Sequence, residues 1–164
     1  MALKLEDKKL VVEEVSAIVA ETISMVVAEY RGLTVEQMTN LRSKARESNV
    51  VIRVVKNTLA RKALQGSPFE DLSDDLVGPV VLAFSKEELS GAARVVKDFK
   101  KENEALVVKS LSIGSGKLDV NQLDAIAALP TYEEAIGKLM YVMKAPVEKL
   151  ARTLAALKES KEAA

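Results

Sequence analysis

The sequence predicts an α/β protein: a compact single-sheet α/β sandwich domain followed by a long, extended C-terminal α-helix. Three observations lead to this prediction. Short runs rich in β-branched residues alternate with segments of helical periodicity. Patterns typical of helix starts stand between these runs. After Pro130 no strand-like run follows, while an apolar stripe at helical spacing continues almost to the C-terminus.

Four β-branched runs have the length and the valine content of strands. They cover residues 24–30, 50–55, 79–84 and 106–113. A helix over residues 5–22 precedes them, with Leu10, Val11, Val15, Ile18 and Val19 on one face. Because helices separate the strands, the pattern is typical of one sheet covered by helices. The order of the strands within the sheet is left open.

Four capping boxes, each a Ser or Thr followed three residues later by Glu or Gln, mark predicted helix starts. The pairs are Thr34 with Gln37, Ser67 with Glu70, Ser85 with Glu88, and Thr131 with Glu134. They predict a helix over 35–48, a short helix with Pro68 in its first position, a helix to about residue 101, and the C-terminal helix. Pro146 lies inside this last helix and predicts a kink there. We therefore predict an α/β domain over residues 1–130 and a separate C-terminal helix over residues 131–164.

The composition argues against catalysis. The 164 residues include no Cys and no His, which removes thiolate chemistry and the commonest general base and metal ligand. The segment GSGK at 114–117 lacks the upstream Gly and the following Ser or Thr of a phosphate-binding loop, so we interpret it as a turn. Adjacent carboxylates such as Glu133 and Glu134 point apart on a helix. We predict no enzyme, no metal and no cofactor.

The sequence also predicts a cytoplasmic protein. No apolar run approaches the roughly 20 residues that a membrane-spanning helix needs. The first ten residues, MALKLEDKKL, carry charges where a signal peptide is apolar. The absence of Cys fits a reducing compartment.

Positive charge is concentrated in one segment, although the net charge of the chain is zero. Residues 30–66 contain eight basic and two acidic side chains, whereas residues 67–130 contain seven basic and eleven acidic ones. Two basic clusters stand where predicted strands end, one over residues 30–34 around Arg31 and Gly32 and one from Arg53 to Lys62. Cations beside a free helix N-terminus suit phosphate oxygens. The alternative is an ordinary solvated surface.

The C-terminal stripe presents one apolar pattern twice. Its members recur at alternating steps of three and four residues, and residues 136–145 align with residues 147–156 at an offset of eleven. The stripe and the Leu beside it comprise Ile136, Leu139, Met140, Met143, Val147, Leu150, Leu154 and Leu157. A pattern presented twice predicts tandem docking sites for a protein partner. A helix folded back on its own domain and a homodimeric coiled coil are the alternatives, and Pro146 disfavours the coiled coil.

Four segments carry a resemblance to a known family: YRGLT at 30–34, RVVKNTL at 53–59, VGP at 77–79 and LPTYEEA at 129–135. With these motifs the whole chain resembles the bacterial stalk-base proteins, the tenth family in the large-ribosomal-subunit series. The resemblance implies an α/β domain bound to large-subunit rRNA in the GTPase-associated region, beside the eleventh large-subunit protein. It also implies a mobile C-terminal helix that carries dimers of the acidic stalk protein, which recruit translational GTPases.

Carried over by position, the resemblance places Arg31, Gly32, Lys56 and Asn57 in the RNA-binding part and the helix from Tyr132 onward in the stalk-binding part. We add Arg61 and Lys62 to the RNA-binding set on charge alone. Two copies of the stripe predict two stalk dimers. The resemblance further implies binding to the protein's own messenger leader, with repression of its translation. A nucleotide-dependent α/β enzyme and a coiled-coil adaptor without an RNA role are the rival functions.

Overall fold

The computed structural model describes residues 5–103, 105–114 and 116–162. The helices are α1 (Leu5–Ala20), α2 (Val35–Glu47), α3 (Asn57–Leu64), α4 (Gly91–Glu102), α5 (Leu123–Ala127) and α6 (Tyr132–Glu162). The strands are β1 (Ser24–Glu29), β2 (Val50–Arg53), β3 (Val80–Ser85), β4 (Val107–Ser112) and β5 (Lys117–Leu118). Two 3₁₀ helices cover Glu70–Asp75 and Val120–Gln122. The chain divides into two compact units, Met1–Leu129 and Pro130–Ala164.

The first unit is built on one sheet with the strand order β2-β3-β1-β4-β5, in which all neighbours are antiparallel. Side chains of β1 alternate between two cores, as the period of two along a strand requires. Val26 and Ala28 join the core under α2, α4 and α5. Met25 and Val27 join the core under α1, α3 and the first 3₁₀ helix. The predicted single-sheet α/β sandwich is therefore confirmed.

The four predicted strands are present, each with its ends within two residues of the predicted positions. The two-residue strand β5 was not predicted. Helix α1 ends at Ala20 rather than at residue 22, and the Thr22 hydroxyl donates a hydrogen bond to the carbonyl of Ile18 at 2.7 Å. Helix α6 continues as one element through Pro146. The size of a kink there stays a prediction.

Two of the four predicted capping boxes are confirmed. At the start of α2, the Thr34 amide donates to Gln37 Oε1 at 2.8 Å and the Gln37 amide donates to Thr34 Oγ1 at 3.3 Å. At the start of α6, Thr131 and Glu134 exchange the same pair of bonds at 3.2 Å each. Each box satisfies two amides that the first helical turn leaves without a partner.

The other two predicted boxes are wrong. Ser85 is the buried last residue of β3, pairs with Ser24 and Val50, and donates its hydroxyl to the carbonyl of Glu88 at 2.6 Å. Because the sheet holds Ser85 extended, α4 begins only at Gly91. Ser67 donates its hydroxyl to the carbonyl of Leu64 at 2.6 Å. The helix after it is a 3₁₀ helix that begins at Glu70 rather than at Pro68.

Gly91 offers a test of this junction between β3 and α4. A Cβ at Gly91 would lie 2.9 Å from Ser85 Oγ, which is already bound to the Glu88 carbonyl. We expect Gly91→Ala to lower the free energy of unfolding by about 1–3 kcal/mol, because the hydroxyl has to move out of a packed site. Urea denaturation followed by circular dichroism measures this change.

Gly137→Ala is the matched control, because a Cβ there meets no atom within 4 Å. Gly137 lies within α6, where Ala is favoured over Gly by about 1 kcal/mol. The control variant should keep or raise the helical signal. Equal destabilisation by the two substitutions would contradict the packing described for Gly91.

Candidate nucleic-acid interface and docking helix

The antiparallel pairing of the sheet brings the two basic clusters to the same end of the sheet. Strand β3 lies between β1 and β2 and is antiparallel to both, so β1 and β2 run in the same direction. At their C-terminal ends, Glu29 is opposite Val80 and Arg53 is opposite Leu82. The segments that follow leave the sheet about 10 Å apart, which is two strand spacings. We call residues 30–33, 54–57 and 77–79 the strand-end surface.

The loop at residues 77–79 belongs to this surface and joins its two halves. The Tyr30 amide donates to the Pro79 carbonyl at 3.2 Å, and Asn57 Nδ2 donates to the Gly78 carbonyl at 3.0 Å. Gly78 has a φ of +82°, a backbone conformation that favours glycine. Charge alone does not identify this loop as part of the site, because it contains no basic residue. Its only sequence indication is the VGP motif.

Side chains from α3 and β4 hold the chain that leads into this loop. The Arg61 guanidinium donates to the carbonyls of Ser73 and Leu76 at 3.1 and 3.0 Å. Lys109 Nζ donates to the Val77 carbonyl at 2.6 Å and forms an ion pair with Glu29 at 2.9 Å. Arg61 therefore positions the loop, and its predicted contact with RNA stays a prediction.

A further ion pair secures the residues before the loop. Asp75 Oδ1 lies 2.9 Å from Lys117 Nζ. Burial raises the pKa of Asp75, but the hydrogen bond from Lys117, the nearby Ser110 hydroxyl and the charges of Lys117 and Lys109 outweigh this effect, so its pKa is lowered. The hydrogen bond to Asp75 raises the pKa of Lys117. The Lys of the GSGK segment is thus engaged with a carboxylate, consistent with its interpretation as a turn.

The predicted RNA-binding residues separate into two groups in the structure. Arg31, Gly32, Lys56 and Asn57 come together on the strand-end surface. Within the described residues, Arg31 and Lys56 are exposed cations without an ion pair or hydrogen bond from the side chain. Lys62 instead lines a groove of about 680 Å³ between α1 and α3. The arrangement provides two free cations, and a bound phosphate would contact these without displacing an internal ion pair.

Arg61 and its neighbour Lys62 allow a matched test of the positioning role. Arg61→Gln removes two hydrogen bonds to the carbonyls of Ser73 and Leu76, so we expect the free energy of unfolding to fall by about 1–2 kcal/mol. Hydrogen exchange at the amides of Leu76 and Val77 should accelerate. Lys62→Gln makes the same charge change and should stay within about 0.5 kcal/mol of the unsubstituted protein. Similar exchange at these two amides in both variants would exclude the positioning role.

The second unit consists of α6, and its predicted docking residues are exposed. The seven residues of the stripe and the neighbouring Leu139 have exposed fractions between 39% for Ile136 and 72% for Met143. At 3.6 residues per turn they lie within an arc of about 100°. Tyr132, which is also exposed, extends the stripe by one turn toward the N-terminus and was not in the predicted set. The helix therefore presents one continuous apolar face.

The described residues contain no metal-binding cluster of three or more His, Cys, Asp or Glu side chains. Among the helices in that part of the chain, none combines the length and the apolar character required to cross a membrane.

Comparison with protein families identifies the chain's relatives. A family model described as "Ribosomal protein L10" matches residues 3–101, and one described as "Ribosomal protein uL10 C-terminal region" matches residues 129–164. The chain belongs to the ribosomal protein L10 (uL10) family. The large ribosomal subunit protein uL10 of Hydrogenovibrio crunogenus is 69% identical over 163 residues, which cover 99% of this chain and 98% of the relative. The uL10 protein of Halorhodospira halophila is 49% identical over the full length of both chains.

Membership in the uL10 family confirms the resemblance to a large-subunit stalk-base protein. The protein is a structural constituent of the large ribosomal subunit and not an enzyme. A uL10 protein of Legionella pneumophila, 56% identical over 155 residues, covers 94% of this chain and 88% of the relative. As a component of the bacterial ribosome, a uL10 protein is cytoplasmic, as predicted.

Proposed function

We propose that this uL10 protein forms the base of the large-subunit stalk, with its first unit bound to rRNA and α6 bound to dimers of the acidic stalk protein. One observation supports the proposal above all. Within the described residues, the first unit gathers exposed cations without internal partners at one end of its sheet, while the second unit exposes a long apolar stripe. The two surfaces suit partners of opposite character, a polyanion and an apolar helix face.

RNA anchoring rests on the strand-end surface. Arg31 and Lys56 extend from segments held by the sheet and by the bonds to the 77–79 loop, so little side-chain and loop ordering is needed on binding. Tyr30 is half-buried against the core beside Arg31, which leaves phosphate contact as the principal chemistry of this edge. Binding should therefore weaken as the salt concentration rises. We assign this surface to the rRNA of the GTPase-associated region, beside the eleventh large-subunit protein.

Charge reversal at Lys56 tests the RNA-binding role. Lys56→Glu replaces a free cation by an anion, so binding to an rRNA fragment of the GTPase-associated region should fall by at least about tenfold at 0.15 M salt. Binding of the stalk protein should be unchanged. Lys149→Glu makes the same charge change on α6, in the second unit, and serves as control. A folded Lys56→Glu variant that loses both partners would refute the division of labour between the units.

Stalk docking rests on the apolar face of α6. Covering a large apolar side chain contributes about 1.5–3 kcal/mol, so the eight together contribute about 12–24 kcal/mol, against an entropic cost of about 4–15 kcal/mol for each association. Because this contribution is apolar, it should be much less sensitive to salt than RNA binding. The two copies of the pattern, before and after Pro146, lead us to propose two stalk dimers. Each copy would hold one dimer.

Native mass spectrometry of the chain co-expressed with the acidic stalk protein tests this count. We expect four stalk copies per chain, two after Met140→Glu with Met143→Glu, and two after Leu150→Glu with Leu154→Glu, since each pair disrupts one copy of the pattern. Lys138→Glu with Lys149→Glu is the control, because both residues lie on the opposite side of the same helix. Three dimers on the unsubstituted chain would contradict the count. A chain that pairs with itself through α6 and takes up no stalk protein would favour the coiled-coil adaptor.

The remaining parts of the proposal follow from the resemblance. Stalk dimers held on α6 would recruit translational GTPases to the ribosome without a contact between these enzymes and the first unit. The strand-end surface would also bind the protein's own messenger leader, since phosphate contacts do not distinguish one folded RNA from another. Messenger and rRNA would then exclude each other at one site.

A further inference from the structure

The open edge of the sheet carries a second concentration of positive charge. Strand β2 is the terminal strand of the sheet, so one side of its backbone has no neighbouring strand. A groove of about 540 Å³ runs along it, lined by Arg42 and Arg46 of α2 and by residues 50–54. We call this feature the β2-edge groove. None of its basic residues belongs to the RNA-binding set predicted above.

Arginines reach this edge from both faces of the sheet. Arg42 and Arg46 lie one turn apart on the exposed side of α2. Val50 and Ile52 contact the core beneath α2, so Arg53, which alternates with them, extends from the opposite face. The three guanidinium groups therefore flank the open backbone edge of β2.

The three groups lack internal partners. In the part of the chain that the structure describes, Arg42, Arg46 and Arg53 form no ion pair and no hydrogen bond from their side chains. Lys44, on the same helix, is by contrast paired with Glu102 at 2.6 Å. Like charges one turn apart on a helix repel each other, and an anion between them removes that cost.

The chemistry of the groove indicates a phosphate backbone. Arginine donates two parallel hydrogen bonds to one phosphate, and the lining residues include no aromatic side chain on which a base could stack. Arg53 ends the strand whose following segment carries Lys56, so the groove is continuous with the strand-end surface.

We propose that RNA bound at the strand-end surface continues along the β2-edge groove, where Arg42, Arg46 and Arg53 bind its phosphates irrespective of sequence. This inference rests on the proposed RNA-binding function. It enlarges the interface from the ends of the strands to the side of the sheet. The groove raises the affinity for RNA, while discrimination between sequences resides elsewhere.

Filter binding of the full chain at several salt concentrations tests the proposal. The probes are an rRNA fragment of the GTPase-associated region and a scrambled RNA of the same length. Arg42→Gln with Arg46→Gln should weaken binding of both RNAs about tenfold and reduce the slope of log affinity against log salt by about 1.4–1.8, as expected for two lost phosphate contacts. Arg53→Gln should reduce the slope by about half as much. Lys138→Gln with Lys149→Gln removes the same two charges from α6, in the second unit, and should leave the slope unchanged.

The outcomes separate this inference from the proposed function. If the unsubstituted chain binds neither RNA, both fail. If Lys56→Glu weakens binding but the Arg42/Arg46 variant behaves like the α6 control, the groove is not part of the interface, and its arginines only protect an open strand edge. A loss confined to the rRNA fragment would overturn the assignment to phosphates. Circular dichroism of every variant shows that the fold is retained.

Discussion

The antiparallel pairing of β3 with both β1 and β2 fixes the directions of the strands and the positions of the segments that follow them. It makes β1 and β2 parallel to each other although no bond joins them, and it brings their C-terminal ends to the same end of the sheet. The same pairing starts β3 at that end, so the loop before it lies between the two basic segments. If β2 ran the other way, its basic segment would leave from the opposite end of the sheet. The proposed RNA interface therefore follows from strand direction as much as from charge.

A second principle governs which cations remain available. The loop before β3 exposes several carbonyls, and buried or half-buried carbonyls need donors. Arg61, Lys109 and Asn57 supply them, and Lys117 is engaged by Asp75. Charge in the sequence therefore overstates the charge that a partner can contact. Among the described residues, Arg31 and Lys56 are cations whose side chains no internal acceptor engages.

The two units differ in whether their apolar side chains are buried or exposed. The first unit buries its apolar side chains in two cores on the faces of one sheet and presents polar groups at its edge. Helix α6 leaves a full apolar stripe exposed, which is unfavourable in water until a partner covers it. A salt-dependent attachment and an apolar one can thus operate in one chain without competing for the same residues. This separation suits the proposed role of linking rRNA to the stalk protein.

Local features were predictable from the sequence, whereas features that join distant segments were not. The β-branched runs, the Thr34 and Thr131 boxes and the stripe of α6 depend on residues within a few positions of each other, and the structure contains all of them. The Ser67 and Ser85 boxes failed, Ser85 because pairing with two distant strands keeps its backbone extended. Strand order, the meeting of the basic segments at one edge and the carbonyl partners of Arg61 arise from contacts between residues far apart in the chain. Short-range sequence patterns are enough to define the helices, the strands and the segments that carry charge. Which of these charges stay available for a partner depends on the folded sheet, because pairing across it sets strand direction and places carbonyls and carboxylates where they engage some of the cations.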